Sequence, residues 1–248
     1  GSKELTEGLS EAADESSGVK ANENTYEMMS SPIKLDTDEV VADVPNYGTG
    51  FAPYFISLGL FVGALMMSIV YPMNEPASIP GSGFSWFAGK FGVLAIVGVV
   101  QALLADLILL NWLGIKVQSI PFFILFSMLT SLTFIAIIQF LVTVLKDAGR
   151  FVAIIILILQ LTTSAGTFPL ELIPDWLQPF HAFLPMSYTV KGFKAVISSG
   201  DFGFMWQNAA ILAGYAIAFI IGSILYFVYK YKKQYGRLAK DAMQTDGM

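Results

Sequence analysis

The sequence predicts an all-α integral membrane protein that crosses the bilayer five times. Hydrophobic residues make up 55% of the chain and charged residues only 13%, a balance typical of proteins that have lipid as their solvent. Five apolar stretches are each long enough, or nearly so, to cross a hydrocarbon core of roughly 30 Å as a helix. The charges are also uneven, because residues 1–50 hold eleven of the nineteen acids and three of the fourteen bases.

The predicted spans follow a polar segment. Residues 1–2 are interpreted as a cloning scar, because they are Gly-Ser rather than Met. Residues 3–44 are acidic and predict an extracellular linker at the end of a helical domain. Residues 45–231 form the predicted transmembrane domain, and residues 232–248 a basic cytoplasmic tail. The predicted spans are residues 51–71, 91–113, 120–145, 151–168 and 208–229.

Basic residues near the span ends predict the orientation, because cytoplasmic segments carry an excess of Lys and Arg. With the N-terminal segment outside, the inner segments carry eight bases and the outer segments four or fewer. We therefore expect the acidic segment outside and the basic tail inside. An N-terminus outside needs an export signal or an earlier span, which we expect upstream of residue 1.

Asp106 is the one acid inside a predicted span, where an ionisable group costs on the order of 2.5–3.5 kcal/mol. Ala102 and Gly98, four and eight residues earlier, form a small-residue ridge that allows close approach of another helix. Asp106 is therefore predicted to point into the helix bundle. Two roles stay open: an ion or proton relay on a translocation path, or a hydrogen-bonded structural acid.

Polar side chains recur at helical spacing in the third and fourth spans, most of them in the outer halves. They predict either a wet vestibule that opens to the outside or ordinary Ser/Thr packing between helices. With Asp106, the candidate vestibule residues are Ser127, Thr130, Ser131, Gln139, Gln160, Thr163, Ser164 and Thr167.

Two spans carry small residues four positions apart, a spacing that lets helix backbones meet. The pattern favours close packing within the chain or between the two chains of a homodimer. The residues are Gly59 and Gly63 in the first span, and Gly214, Ala218 and Gly222 in the last.

The connection of residues 169–200 is apolar, but four prolines prevent it from being one continuous span. It predicts an outer hairpin of short interfacial or re-entrant helices near residues 174–183 and 187–198. His181, the only histidine, is expected to be interfacial rather than catalytic. The hairpin residues singled out are Pro169, Pro174, Trp176, Pro185 and Tyr188.

Catalytic, metal and cofactor sites are not predicted. The chain has no cysteine and one histidine, which leaves few ligands for zinc or iron. The sequence GFSWF at residues 83–87 lacks the last glycine of a nucleophile elbow, and Gly89-Lys90 lacks the glycine that a P-loop needs upstream. We expect a protein that is not an enzyme and that binds membrane lipid rather than nucleic acid.

The motif VPNYGTGFAPYF at residues 44–55, continued by SLGLFVGA at residues 57–64, resembles the C-terminal region of the phage infection protein (YhgE/Pip) family of Gram-positive bacteria. Residues 166–169, 174–177 and 185–188 separately resemble the outer re-entrant hairpin of ABC-2 type exporter permeases.

The resemblance implies an ABC-2 permease-like fold in the bacterial cytoplasmic membrane. It implies one N-terminal span, a large extracellular domain and five further spans, so that this chain holds five of six. In ABC-2 permeases the loop after the second span contacts an ATPase. Here the corresponding residues 72–90 are rich in Pro and Gly with few charges, which weakens the case for a coupling helix.

Three functions stay open. The first is a membrane subunit that supports export or secretion, forms a homodimer, contacts secretion-system subunits and serves bacteriophage through an ectodomain outside this chain. The second is an exporter permease that works with a separate ATPase. The third is a passive anchor for an extracellular stalk.

Overall fold

The computed structural model describes residues 2–18, 47–76, 78–166 and 172–245. The chain divides into two compact units, Gly1–Val40 and Val41–Met248. The described part of the first unit is one helix, α1 (Ser2–Gly18), whose side chains from residue 3 to residue 11 are exposed. Within these described ranges the chain is all-α and contains no β-strand, as the sequence predicts.

The second unit is a bundle of long helices with a pair of short ones at one end. The helices are α2 (Tyr47–Val70), α3 (Gly83–Leu107), α4 (Ile120–Leu145), α5 (Asp147–Thr163), α6 (Phe180–Phe183), α7 (Pro185–Lys194) and α8 (Phe202–Thr245). Helix α4 lies at the centre, because it packs against α2, α3, α5 and α8. Its buried face carries large apolar residues that interlock with the neighbouring helices, as in the edge-to-face contact of Phe61 and Phe134, with ring centroids 5.1 Å apart.

Four helices begin before the predicted spans, and two of them begin six or more residues early because capping and packing rather than apolarity fix their starts. Helix α3 starts at Gly83 instead of residue 91, since the Ser82 side chain accepts a hydrogen bond of 3.0 Å from the Ser85 N–H. Helix α8 starts at Phe202 instead of residue 208, since the Asp201 carboxylate accepts one of 2.9 Å from the Phe204 N–H.

The outer hairpin is less helical at its start than the sequence indicates. Turns precede α6, which covers only Phe180–Phe183 of the expected residues 174–183. Helix α7 begins at Pro185, where a missing N–H costs nothing, and continues as a π-helical turn over Ala195–Ser199. Gly200 ends this turn with a φ of 69°.

Four helices in the described ranges are long and apolar enough to cross a membrane: Thr49–Val70, Gly83–Trp112, Ile120–Leu145 and Phe202–Tyr235. Helix α5 is shorter, at 17 residues, and begins with a charged turn. It nevertheless runs antiparallel to α2 along most of its length. The Arg150 guanidinium at its start bonds the Ser68 carbonyl, and the Leu161 carbonyl near its end accepts from the Tyr54 hydroxyl. Five crossings therefore stay a prediction.

The two ends of the bundle differ in composition. One end, here called the hairpin end, holds α6, α7 and the first turns of α2 and α8. The other, here called the basic end, holds the end of α2, the start of α3 and the link between α4 and α5. Four bases meet there: Lys90, Lys146, Arg150 and Lys230.

Candidate translocation site

Asp106 lies on the buried face of α3 and points into the bundle, as the small residues before it predict. Its side chain is 2% exposed, and the Ser127 hydroxyl on α4 lies 2.5 Å from Oδ2. Helices α3 and α4 approach closely because Gly98, on the same face as Asp106, has no side chain. A Cβ at this position would overlap the Ile135 side chain. The second carboxylate oxygen of Asp106 has no hydrogen-bond partner in the described part of the chain.

The polar stripe of α4 continues from Ser127 along the same helix, wholly inside the bundle. The Ser131 hydroxyl donates to the Gly98 carbonyl at 2.9 Å, which joins α4 to α3. Thr130 and Gln139 are buried, and their side-chain polar atoms are unpaired in the residues that the structure describes. The α4 candidates therefore form one buried polar face, part of which lacks hydrogen bonds.

The candidate residues of α5 bind the outer hairpin. The Gln160 side-chain oxygen accepts from the Met186 N–H at 3.1 Å, which satisfies one free amide at the start of α7. The Thr163 carbonyl accepts from Nδ1 of His181 at 2.6 Å. Ser164 is 1% exposed, and its hydroxyl has no hydrogen-bond partner among the described residues, whereas Thr167 lies outside them.

His181 lies in the hairpin next to this α5 end and is mostly buried. Burial lowers the pKa of its imidazole, the nearby charge of Lys191 lowers it further, and the hydrogen bond to Thr163 partly opposes the shift. A neutral imidazole that donates from Nδ1 fits these surroundings. An interfacial rather than a catalytic role for His181 stays a prediction.

The remaining hairpin residues take different positions. Pro185 is buried at the first position of α7, whereas Pro174 and Trp176 are exposed. The Tyr188 hydroxyl donates to the Ala182 carbonyl at 2.7 Å and so ties α7 to α6. Pro169 lies outside the described residues.

A hydrogen-bonded pair that the sequence did not reveal joins the hairpin to α2. The Thr189 hydroxyl of α7 donates to the Ser57 hydroxyl of α2 at 2.8 Å, and Ser57 donates to the Pro53 carbonyl at 2.7 Å. Both side chains are fully buried. A Ser and a Thr that are 132 positions apart carry no pairing signal in one sequence.

The small residues fall on two kinds of surface. A Cβ at Gly63 would overlap the Gln101 side chain of α3, and one at Gly222 would press against Phe140 of α4. These two glycines therefore serve packing within the chain. Gly59, Gly214 and Ala218 are exposed, and a Cβ at Gly59 or at Gly214 meets no atom within 4 Å.

The candidate vestibule residues that the structure describes are all buried in the bundle, except that nothing is described for Thr167. Three cavities in the described part of the chain, of about 450, 550 and 240 Å³, are lined by other residues. The described residues also hold no group of three His, Cys, Asp or Glu side chains that could bind a metal ion. A vestibule open to water stays a prediction about another conformation.

Comparison with known proteins gives two matches. The family model described as "ABC-2 family transporter protein" matches residues 2–225. YhgE of Bacillus subtilis (strain 168) is 48% identical over 216 residues, which are 87% of this chain and 28% of that relative. The chain therefore spans less than a third of the relative's length. No solved structure matches the chain.

These matches confirm the resemblance to the YhgE/Pip family and the ABC-2 permease architecture. The family model covers the helix bundle from α2 into α8, including the polar face of α4 and the outer hairpin. Together with the four long apolar helices, it identifies a multi-pass membrane protein with a transport-related role. The chain belongs to the ABC-2 transporter protein family.

Proposed function

We propose that this chain is the membrane domain of a subunit that supports export or secretion across a bacterial cytoplasmic membrane. In this proposal the hairpin end and the acidic N-terminal segment face outside, and the basic end faces the cytoplasm. The excess of bases at one end supports this orientation.

The buried polar face of α4, with Asp106 hydrogen-bonded to it, supports transport over passive anchoring. Each buried polar group without a hydrogen bond costs roughly 1–3 kcal/mol. A helix bundle that only anchored a stalk would be more stable with apolar residues at Asp106, Thr130 and Gln139, whose unpaired atoms gain nothing in this packing. Such atoms are useful where water or a polar cargo contacts them in another conformation.

The connection between α2 and α3 bears on the energy source. Its described residues, 71–76 and 78–82, form bends without a helix. The Asn74 amide donates to the Thr143 carbonyl at 3.3 Å, and the Gly81 carbonyl accepts from Tyr231 at 3.0 Å. Two hydrogen bonds thus hold the segment to its own bundle, while Glu75 and Ile79 stay exposed. The lack of a helix in these described residues favours a secretion-supporting subunit over an ATPase-coupled permease.

A permease that works with a separate ATPase is the second candidate, because ABC-2 family membership supports it. A role as a phage attachment site, through an ectodomain outside this chain, follows only from the resemblance to phage infection proteins. Affinity purification of the full-length protein separates these candidates. Co-purifying secretion-system subunits support the first candidate, and a co-purifying ATPase supports the second. If neither co-purifies, the passive anchor is the remaining candidate.

Cysteine labelling tests the vestibule itself, and the chain has no native cysteine that would react. We expect Ser131→Cys and Ser164→Cys to react slowly with an impermeant maleimide added from outside, as the vestibule opens. Trp112→Cys, at an 80% exposed position near the hairpin end, is the positive control. Phe134→Cys, at a fully buried apolar position, is the negative control. If the two serine-site variants react no faster than Phe134→Cys, the prediction of a vestibule open to the outside is wrong.

A further inference from the structure

The basic end contains a cavity of about 450 Å³ that the transport proposal does not use. It lies between the end of α2, the link from α4 to α5, and the inner part of α8. We propose that this cavity binds the phosphodiester headgroup of an anionic glycerophospholipid.

The charges of the lining fit one phosphodiester. Three bases and two acids line the cavity, so its formal net charge is +1. A phosphodiester carries one negative charge and balances it, whereas a phosphate monoester carries −1.5 to −2 near neutral pH and exceeds it. The bases are Lys146, Arg150 and Lys230, and the acids are Glu75 and Asp147.

The partners of these side chains leave one base available. Arg150 pairs with Asp147 at 2.5 Å and donates to the Ser68 carbonyl at 3.0 Å from Nε and 2.6 Å from Nη2. Lys230 donates to the carbonyl and the side-chain oxygen of Asn74. Lys146 is exposed, and its side-chain ammonium, unlike its backbone, has no hydrogen bond or ion pair with any described residue. It also repels Lys230, and an anion between the two lysines would relieve that repulsion.

The apolar part of the lining favours a lipid over free phosphate. Ile69, Val70, Met73 and Val142 line the same cavity as the bases. Ile69 and Val70 are exposed on the last turn of α2, beside the cavity. Basic pockets between membrane helices are known to bind lipid headgroups, and here the glycerol and first methylene groups would cover the apolar side.

Binding of phosphatidylglycerol and of phosphatidylcholine to the purified full-length chain in a nonionic detergent tests the proposal by native mass spectrometry. We expect phosphatidylglycerol to bind more tightly. Lys146→Gly removes the available charge and suits the backbone there, since Lys146 has a φ of 55°. Lys146→Gly should lower the affinity for phosphatidylglycerol about fivefold, the equivalent of one basic residue near an anionic surface. It should not lower the melting temperature.

The controls separate this cavity from general charge effects. Lys146→Gln gives a second neutral variant, and Lys146→Glu should weaken binding further. Lys232→Glu changes an exposed lysine of α8 that does not line the cavity, and it should change binding less than twofold. Equal affinity for the two lipids, or equal losses in Lys146→Glu and Lys232→Glu, would overturn the proposal. Displacement of the lipid by millimolar inorganic phosphate would also overturn it, in favour of a free-phosphate site. None of these outcomes depends on a role in export.

Discussion

The hairpin end and the basic end join their helices by different chemistry. At the hairpin end, most side-chain bonds join neutral groups, as in the pair of Thr189 with Ser57 and the bond from Met186 to Gln160. The exception is the Lys194 ammonium, which donates to the Ala165 carbonyl at a longer 3.2 Å. At the basic end, cations bond backbone carbonyls, as Lys90 does with Pro72 at 2.7 Å and Arg150 with Ser68. Both carbonyls lie at or just after the last turn of α2, where carbonyls lack helical partners and a positive charge is favoured.

The difference indicates which end can move. Neutral hydrogen bonds between membrane helices contribute about 0.6 kcal/mol each, so exchanging several of them for water costs little. Charge-assisted bonds are roughly twice as strong as neutral ones. We therefore expect the hairpin end to open while the basic end keeps its packing.

The largest expected effect is at the link between α4 and α5, which holds the basic end together. A Cβ at Gly149 would overlap the Leu141 carbonyl group and the Val142 backbone. Because backbone atoms cannot rotate away, Gly149→Val should lower the free energy of unfolding by about 3 kcal/mol. Equilibrium unfolding of the detergent-solubilised protein measures this. Gly92→Val is the control, since a Cβ there meets no atom within 4 Å. Similar losses in both variants would show that α4 and α5 do not meet at Gly149.

A smaller effect is expected where α3 meets the polar face of α4. Ser127→Ala leaves the Asp106 carboxyl buried without the one hydrogen bond that it makes to a described residue, which should cost about 2 kcal/mol. In an Asp106→Leu background the same change should cost less than about 1 kcal/mol, because no carboxyl remains to be satisfied. Unfolding of the four proteins of this cycle gives the coupling energy. Equal costs in the two backgrounds would mean that the contact contributes nothing.

An export assay extends this test from stability to function. If Asp106→Asn leaves export unchanged at normal expression, Asp106 is structural, and the transport role of the polar face rests on its other members.

Part of this comparison was predictable from the sequence. Helix α4 covers the residues that hydropathy indicates, because Ser119 and Lys146 bound a mainly apolar run that contains no charged residue. The direction of Asp106 followed from the small residues one and two turns before it on α3. The start of α3 did not, because Trp86 and Phe87 pack against Phe227 of α8, a contact about 140 positions away.

The sites at the two ends were predictable only as lists of residues. The polar stripe of α4 is visible in the sequence, but its bonds to α3 depend on which face of each helix meets the other. Lys146, Arg150 and Lys230 entered the sequence argument as a count of charges. That they line one cavity depends on the packing of α5 and α8 around the end of α2, which local patterns do not encode.

The two ends of α5 offer a matched pair of backbone changes. Lys146 precedes the helix with a φ of 55°, and Ala165 follows it with a φ of 52°. Residues with a side chain lose roughly 1–2 kcal/mol in the left-handed region, whereas glycine does not. Lys146→Gly and Ala165→Gly should therefore each stabilise the protein by about 1 kcal/mol in thermal or chemical unfolding. Only Lys146→Gly should also weaken the binding of phosphatidylglycerol. Weaker lipid binding in Ala165→Gly would show that lipid retention follows backbone flexibility rather than charge.

The smallest expected effect is a pH dependence of the free energy of unfolding that arises from His181 at the hairpin end. Burial holds the pKa of His181 below its ordinary value, so the unfolded chain takes up a proton at a higher pH than the folded chain does. The contribution of His181 to stability is complete above about pH 6.5 and is lost as the pH falls through the folded pKa.

His181→Gln should remove that part of the slope, which for one proton is at most about 1.4 kcal/mol per pH unit. Unfolding of both proteins between about pH 5 and pH 8 measures the difference, and Ala165→Gly should keep the wild-type slope because it retains the imidazole. Identical slopes for wild type and His181→Gln would mean that the folded protein binds the imidazolium as readily as the unfolded chain. The bond to the Thr163 carbonyl would then be charge-assisted, like those at the basic end. The hydrogen bonds of the hairpin end could then no longer be called weaker than those of the basic end.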